Sequence, residues 1–124
     1  MIFYVVLTLL WTALVLFATL TPGDQLPDNA FLDIPYLDKF VHTGLFTVQS
    51  YLTIKSFQVL KSFYFIQQIK VILGLIICVG LAVFVEFMQQ YIPSRSYESG
   101  DLFANIIGIF LGIIAFRILN KYYG

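Results

Sequence analysis

Charge is scarce in this sequence. Lys and Arg together number seven, Asp and Glu seven, and the formal net charge of the 124 residues is zero. A chain so balanced has no basic face with which to neutralise phosphates, so nucleic-acid binding is not expected. Cysteine is nearly absent. Cys78 stands alone inside an apolar run, which excludes an internal disulfide and any Cys-pair metal motif and leaves it as a small core residue. Histidine is also single, at His42. With one imidazole and no paired ligand spacing, a metal site built on His42, Glu86, Asp38 and Asp101 is not expected, and no cofactor is. The chain has no P-loop, G-x-S-x-G, H-E-x-x-H or C-x-x-C, no internal repeat and no low-complexity segment.

What the sequence has is apolar surface. Hydrophobic residues make up 60% of it and its mean hydropathy is +0.88. A soluble domain this small has too much surface for its volume to hide so much hydrocarbon from water. The composition therefore predicts a single all-α domain, an integral membrane bundle of four transmembrane helices.

About twenty apolar residues cross the hydrocarbon. Residues 2–20 supply an uncharged run of that length, with no basic n-region and no small-residue cleavage site, so a retained span is expected rather than a signal peptide. Thr21 to Leu37 carries Pro22, Gly23, Pro27 and Pro35 among aspartates and reads as a loop. Residues 37–57 form a weaker span in which Asp38, His42, Gln49 and Thr53 share one helical face. Gln58 to Gln68 reads as an interfacial connection, residues 69–92 as the third span, Pro93 to Gly100 as a tight polar loop and residues 102–119 as the fourth span.

Basic residues set the orientation. With the amino terminus in the cytoplasm, Lys55, Lys61, Lys70, Arg117 and Lys121 fall inside, and only Lys39 and Arg95 outside. That satisfies the positive-inside rule and predicts a multi-pass membrane protein with both termini cytoplasmic.

This topology gathers polar residues at the outer face: Asp38, Lys39 and His42 from the second span, Glu86 and Gln89 from the third, Arg95 from the loop, and Asp101 and Asn105 from the fourth. Each has a plain explanation. Asp38 and Asp101 suit helix N-termini, Lys39 can snorkel, Asn105 can bond between helices, His42 can be a satisfied interior histidine, and Arg95 can hold lipid phosphate or Glu98. Glu86 is the exception. At 1.5 Å per residue it lies roughly 9 Å below the surface, where an acid needs a partner or a function. Gly108 and Gly112 continue a four-residue spacing from Ala104 and predict a smooth packing face on the fourth helix.

The segments D-K-F-V-H (Asp38 to His42), E-F-M-Q-Q-Y-I-P-S-R (Glu86 to Arg95) and D-L-F-A-N-I-I-G-I-F-L-G (Asp101 to Gly112) resemble the VanZ-like family over nearly the whole chain. Its pattern is D-K-x-x-H, then E-x-x-Q, a P-x-R turn and D-x-x-x-N-x-x-G-x-x-x-G. That family is named for a glycopeptide-resistance accessory that lowers sensitivity to teicoplanin. The resemblance implies a cell-envelope role and no defined reaction. The expected function is an outer pocket for a lipid headgroup, a cell-wall precursor or a glycopeptide-type antibiotic, with membrane lipids as partners. An intramembrane enzyme acting on envelope lipids, with Glu86 and His42 as its acid and base, is the alternative, as is a structural or transport subunit.

Overall fold

A computed structural model of the protein describes residues 2–20, 37–60, 64–92 and 99–123. They form four helices: α1 (Ile2–Leu20), α2 (Leu37–Gln58), α3 (Tyr64–Gln89) and α4 (Ser99–Tyr123). The loops expected at Thr21–Leu37 and Pro93–Gly100 fall mostly outside the described residues, as do Arg95 and the side chain of Asp38.

Among the described residues three stretches are long and apolar enough to cross a membrane: Ile2–Leu20, Gln67–Gln89 and Ser99–Tyr122. Four spans were expected. The 22-residue α2 is not among the three, because polar residues interrupt its apolar sequence.

Exposure in the bundle is the reverse of a water-soluble fold. Leu9, Phe17, Ile76 and Phe103 point outward at 61–71% exposure, while Thr19, His42, Gln49, Ser50, Thr53, Glu86, Gln89, Asp101 and Asn105 are all buried. In soluble proteins residues such as Glu and Asp are almost never fully buried unless paired. In lipid the sorting follows directly, because polar side chains find partners only in the protein interior.

Side-chain contacts fix the helix directions. Lys39 meets Asp101, His42 meets Asn105 and Gln58 meets Asn120, so α2 and α4 run parallel. Thr12 meets Gln49 and Thr8 meets Ser56, so α1 is antiparallel to α2. Cys78 meets Thr53 and Glu86 meets Asn105, so α3 opposes both α2 and α4. The bundle is thus up-down-up-down. The start of α1 and the end of α4 lie at one end, and the starts of α2 and α4 lie at the other.

Small residues bring α4 against the backbone of α2. A Cβ on Gly108 would run into the Thr43 carbonyl oxygen, and one on Gly112 into Ser50 Oγ and the Thr47 carbonyl oxygen. The closeness lets hydroxyls bond across the seam: Thr43 Oγ1 donates to the Ala104 carbonyl at 3.3 Å and Ser50 Oγ to the Ile109 carbonyl at 3.0 Å. Beside this seam lies a core of Val15, Phe46, Ile54, Cys78, Ala82, Ile109, Ile113 and Phe116.

Two helices are longer than the apolar runs suggest. α3 begins at Tyr64, five residues before Ile69, so the expected connection from Gln58 to Gln68 is partly helix. Gln67 explains the tight join. Its Nε2 donates to the Phe57 and Leu60 carbonyls at 2.7 and 3.0 Å, satisfying acceptors that the end of α2 would leave open. α4 extends from Ser99 to Tyr123, with Asp101 in its first turn and Lys121 in its last, the signs that its dipole favours.

Candidate functional site

The cluster sits where α2 begins, α3 ends and α4 begins. Glu86 and Asn105 are 0% exposed, His42 4% and Asp101 6%. Their side chains form one continuous set of contacts across three helices. Asn105 Nδ2 donates to Glu86 Oε1 at 3.3 Å. The other end of that amide, Oδ1, lies 2.7 Å from His42 Nδ1. His42 Nδ1 is also 3.6 Å from Glu86 Oε1, and His42 Nε2 is 3.8 Å from Asp101 Oδ2. On its far side Asp101 accepts from Lys39 Nζ at 2.6 Å.

These contacts assign the histidine tautomer. An amide oxygen only accepts, so the Asn105 orientation that feeds Glu86 requires the proton on His42 Nδ1. Nε2 is then the ring nitrogen left toward Asp101, whose other oxygen holds Lys39. A base held at one nitrogen by an amide and a carboxylate, with the other nitrogen turned to a cation-bearing end, has the base-and-orienter form used in acid–base chemistry.

The same geometry bears on metal binding. One donor atom each from His42, Glu86 and Asp101 lie within 4.8 Å of one another, and all three residues are buried. Donors on one small ion with bonds of 2.0–2.1 Å would lie about 3.3 Å apart in tetrahedral geometry. Here the nearest approaches of Glu86 and Asp101 are to opposite nitrogens of one ring, and the Lys39 ammonium already occupies Asp101. A common ion would have to draw the three donors closer together and take Asp101 by Oδ2, beside the oxygen that Lys39 holds.

Of the residues singled out in the sequence, Lys39, His42, Glu86, Asp101 and Asn105 come together. Gln89 does not join them directly. It is 1% exposed, and its Nε2 donates to the Thr19 carbonyl of α1 at 2.7 Å, tying the ends of α1 and α3. Arg95 and the Asp38 side chain lie outside the described residues. The glycines Gly108 and Gly112 lie one and two turns below Asn105 on the α2-facing side.

A second polar group lies nearer the chain termini; sequence reasoning put Gln49 and Thr53 on the inward face of α2 but overlooked Ser56 and the α1 hydroxyls that meet it. Thr8 of α1 meets Ser56 of α2 at 2.6 Å, and Thr12 accepts at 2.9 Å from Gln49 Nε2, which also donates to Thr53 of its own helix at 3.3 Å. The available signal was the four-residue spacing of Thr8 and Thr12, which puts both hydroxyls on one face of an otherwise apolar helix.

A family model described as VanZ/LLP1 matches residues 3–120. No curated protein and no solved structure is significantly similar to the chain.

Proposed function

The chain belongs to the VanZ/LLP1 family, and from that premise we propose that it is a four-span protein of the bacterial inner membrane whose outer polar cluster engages the headgroup of an envelope amphiphile. The headgroup belongs to a membrane lipid, a cell-wall precursor or a glycopeptide-type antibiotic, and the last would make the protein an accessory to antibiotic tolerance.

The observation that carries this reading is the burial of Glu86. A carboxyl at 0% exposure in an apolar bundle is costly, and His42 and Asn105 converge on it from two other helices. Lys39 stands at the edge of the group with 27% of its side chain exposed, which suits it to meet an anionic headgroup entering from that end. The fourth crossing is by α2. At 22 residues it is about 33 Å long, and His42, Gln49 and Thr53 turn inward, so lipid meets its apolar side. Positive residues at the other end support cytoplasmic termini by the positive-inside rule.

One observation favours the enzymatic alternative. His42 is fixed at Nδ1 and turns Nε2 toward Asp101, an arrangement that binding alone does not require. Mass spectrometry of lipids co-purified with the protein, before and after incubation, separates the two. A retained, unchanged amphiphile lost in Lys39→Ala supports the binder, and conversion to product supports the enzyme. Retention of no amphiphile, or equal retention by wild type and variant, would sink both.

A further inference from the structure

A cleft of about 250 Å³ opens between α1 and α2, in the half of the bundle nearer the chain termini. Its walls include Leu9, Phe57 and Ile77, and Thr12, Gln49 and Thr53 form its polar side. Leu9 and Ile77 are 66% and 46% exposed, so the cleft lies at the lipid-facing surface and apart from the His42 cluster.

Gln49 is 2% exposed, and its amide can be oriented in only one way. Nε2 donates to Thr12 Oγ1 at 2.9 Å and to Thr53 Oγ1 at 3.3 Å. Each of those hydroxyls already gives its single proton away, Thr12 to the Thr8 carbonyl at 2.8 Å and Thr53 to the Gln49 carbonyl at 2.7 Å. They can therefore only accept from Gln49, and turning the amide over would set oxygen against oxygen. Oε1 is thus directed away from both, and it is buried with no hydrogen-bond partner among the described residues. Within a bilayer such an acceptor costs free energy unless a donor reaches it.

We propose that this cleft binds an uncharged lipid alcohol, its chain along Leu9, Phe57 and Ile77 and its hydroxyl donating to Gln49 Oε1. Depth selects the class. Gln49 lies nine residues from the end of α2, roughly 13 Å along the helix, where a phosphate or ammonium headgroup is expensive and a lone hydroxyl is not. The walls select hydrocarbon, since the side chains that line the cleft at the lipid-facing surface are largely apolar. The oxygen is sealed from solvent-sized contact, so the occupant reaches it by moving a wall. The near half of α1 is that wall: the buried residues of α1, Val15 and Thr19, lie in its other half, and entry breaks the bonds of Thr8 to Ser56 and Leu52 at 2.6 and 2.9 Å and of Ser56 to the Tyr4 carbonyl at 3.0 Å.

The test is equilibrium binding of 1-dodecanol to the full chain in lipid nanodiscs, with dodecyl methyl ether as the probe that can accept but not donate. Wild type should prefer the alcohol about tenfold, the worth of one hydrogen bond of roughly 1–2 kcal/mol in a membrane. Gln49→Leu should bind both equally, and Ile77→Trp, which fills the cleft from α3 and leaves Gln49 in place, should weaken both at least tenfold. Equal binding of alcohol and ether by wild type would overturn the proposal and point to water as the partner of Oε1. An alcohol preference that survives Gln49→Leu, or unweakened binding by Ile77→Trp, would overturn it as well.

Discussion

His42 Nδ1 on α2 stands 2.7 Å from Asn105 Oδ1 on α4, a turn below the Lys39–Asp101 ion pair that joins the same two helices. α3 completes the set by placing Glu86 Oε1 within 3.3 Å of the Asn105 amide nitrogen. Each member therefore constrains the next. The orientation of Asn105 determines which histidine nitrogen carries the proton, and that in turn determines whether the nitrogen facing Asp101 is bare.

The tautomer is directly measurable. His42 is the only histidine, so nitrogen-15 spectra of histidine-labelled protein contain one imidazole. Neutral His42 should show its proton on Nδ1. Asn105→Leu removes the acceptor and should shift the population toward the Nε2-protonated form. Finding Nε2 protonated in the neutral wild type would refute the orientation of the Asn105 amide.

Glu86→Gln keeps the side-chain shape and removes the charge. If the cluster engages a headgroup, amphiphile retention or turnover should disappear while the yield of folded protein stays near normal. A merely structural cluster predicts another pattern. Breaking one partner of a buried charged pair costs about 3–5 kcal/mol, so expression and melting temperature would fall together.

The Lys39–Asp101 pair should contribute little to stability despite its 2.6 Å separation. The lysine side chain is 27% exposed, and partly solvated ion pairs are worth about 0–1 kcal/mol. A double-mutant cycle with Lys39→Met and Asp101→Asn in detergent should give a coupling in that range. A coupling near 3 kcal/mol would mean the pair is a structural lock rather than a separable contact for ligand.

Gly108→Leu and Gly112→Leu should each destabilise the protein by at least the 1–3 kcal/mol typical of overpacking. Both new side chains would meet α2 backbone, which cannot rotate aside: the Thr43 carbonyl in one case and the Thr47 carbonyl in the other. Thermal unfolding in detergent reads the loss. Gly80→Leu serves as control, since nothing lies within 4 Å of the Cβ position there. Equal melting temperatures for all three variants would contradict the α2–α4 seam.

Membrane orientation is tested by single cysteines in a Cys78→Ala background, one after Ile92 and one after Leu60. An impermeant thiol reagent applied to whole cells should label the first and not the second. The reverse pattern would turn the polar cluster toward the cytoplasm.

The sequence by itself determined the class of solvent, the helical fold and the inward turn of Lys39, His42, Glu86, Asp101 and Asn105 toward one another. Long apolar runs require lipid, lipid requires every backbone bond to be satisfied within a helix, and costly residues such as Glu86 must then face inward. Gly108 and Gly112 are legible for the same reason, as small residues at one helical spacing. Partner choice was decided only by tertiary structure. Gln89 shares an end of α3 with Glu86 yet turns to the Thr19 carbonyl of α1, and Gln67, which reads as part of a loop, closes the end of α2. Nor does any local pattern specify that Thr12 and Thr53 give their protons to carbonyls and so leave Gln49 with one possible orientation. Periodicity states which face of a helix turns inward. Which atom it meets depends on the offset and rotation of the neighbouring helix, and those are set by packing over the whole bundle at once.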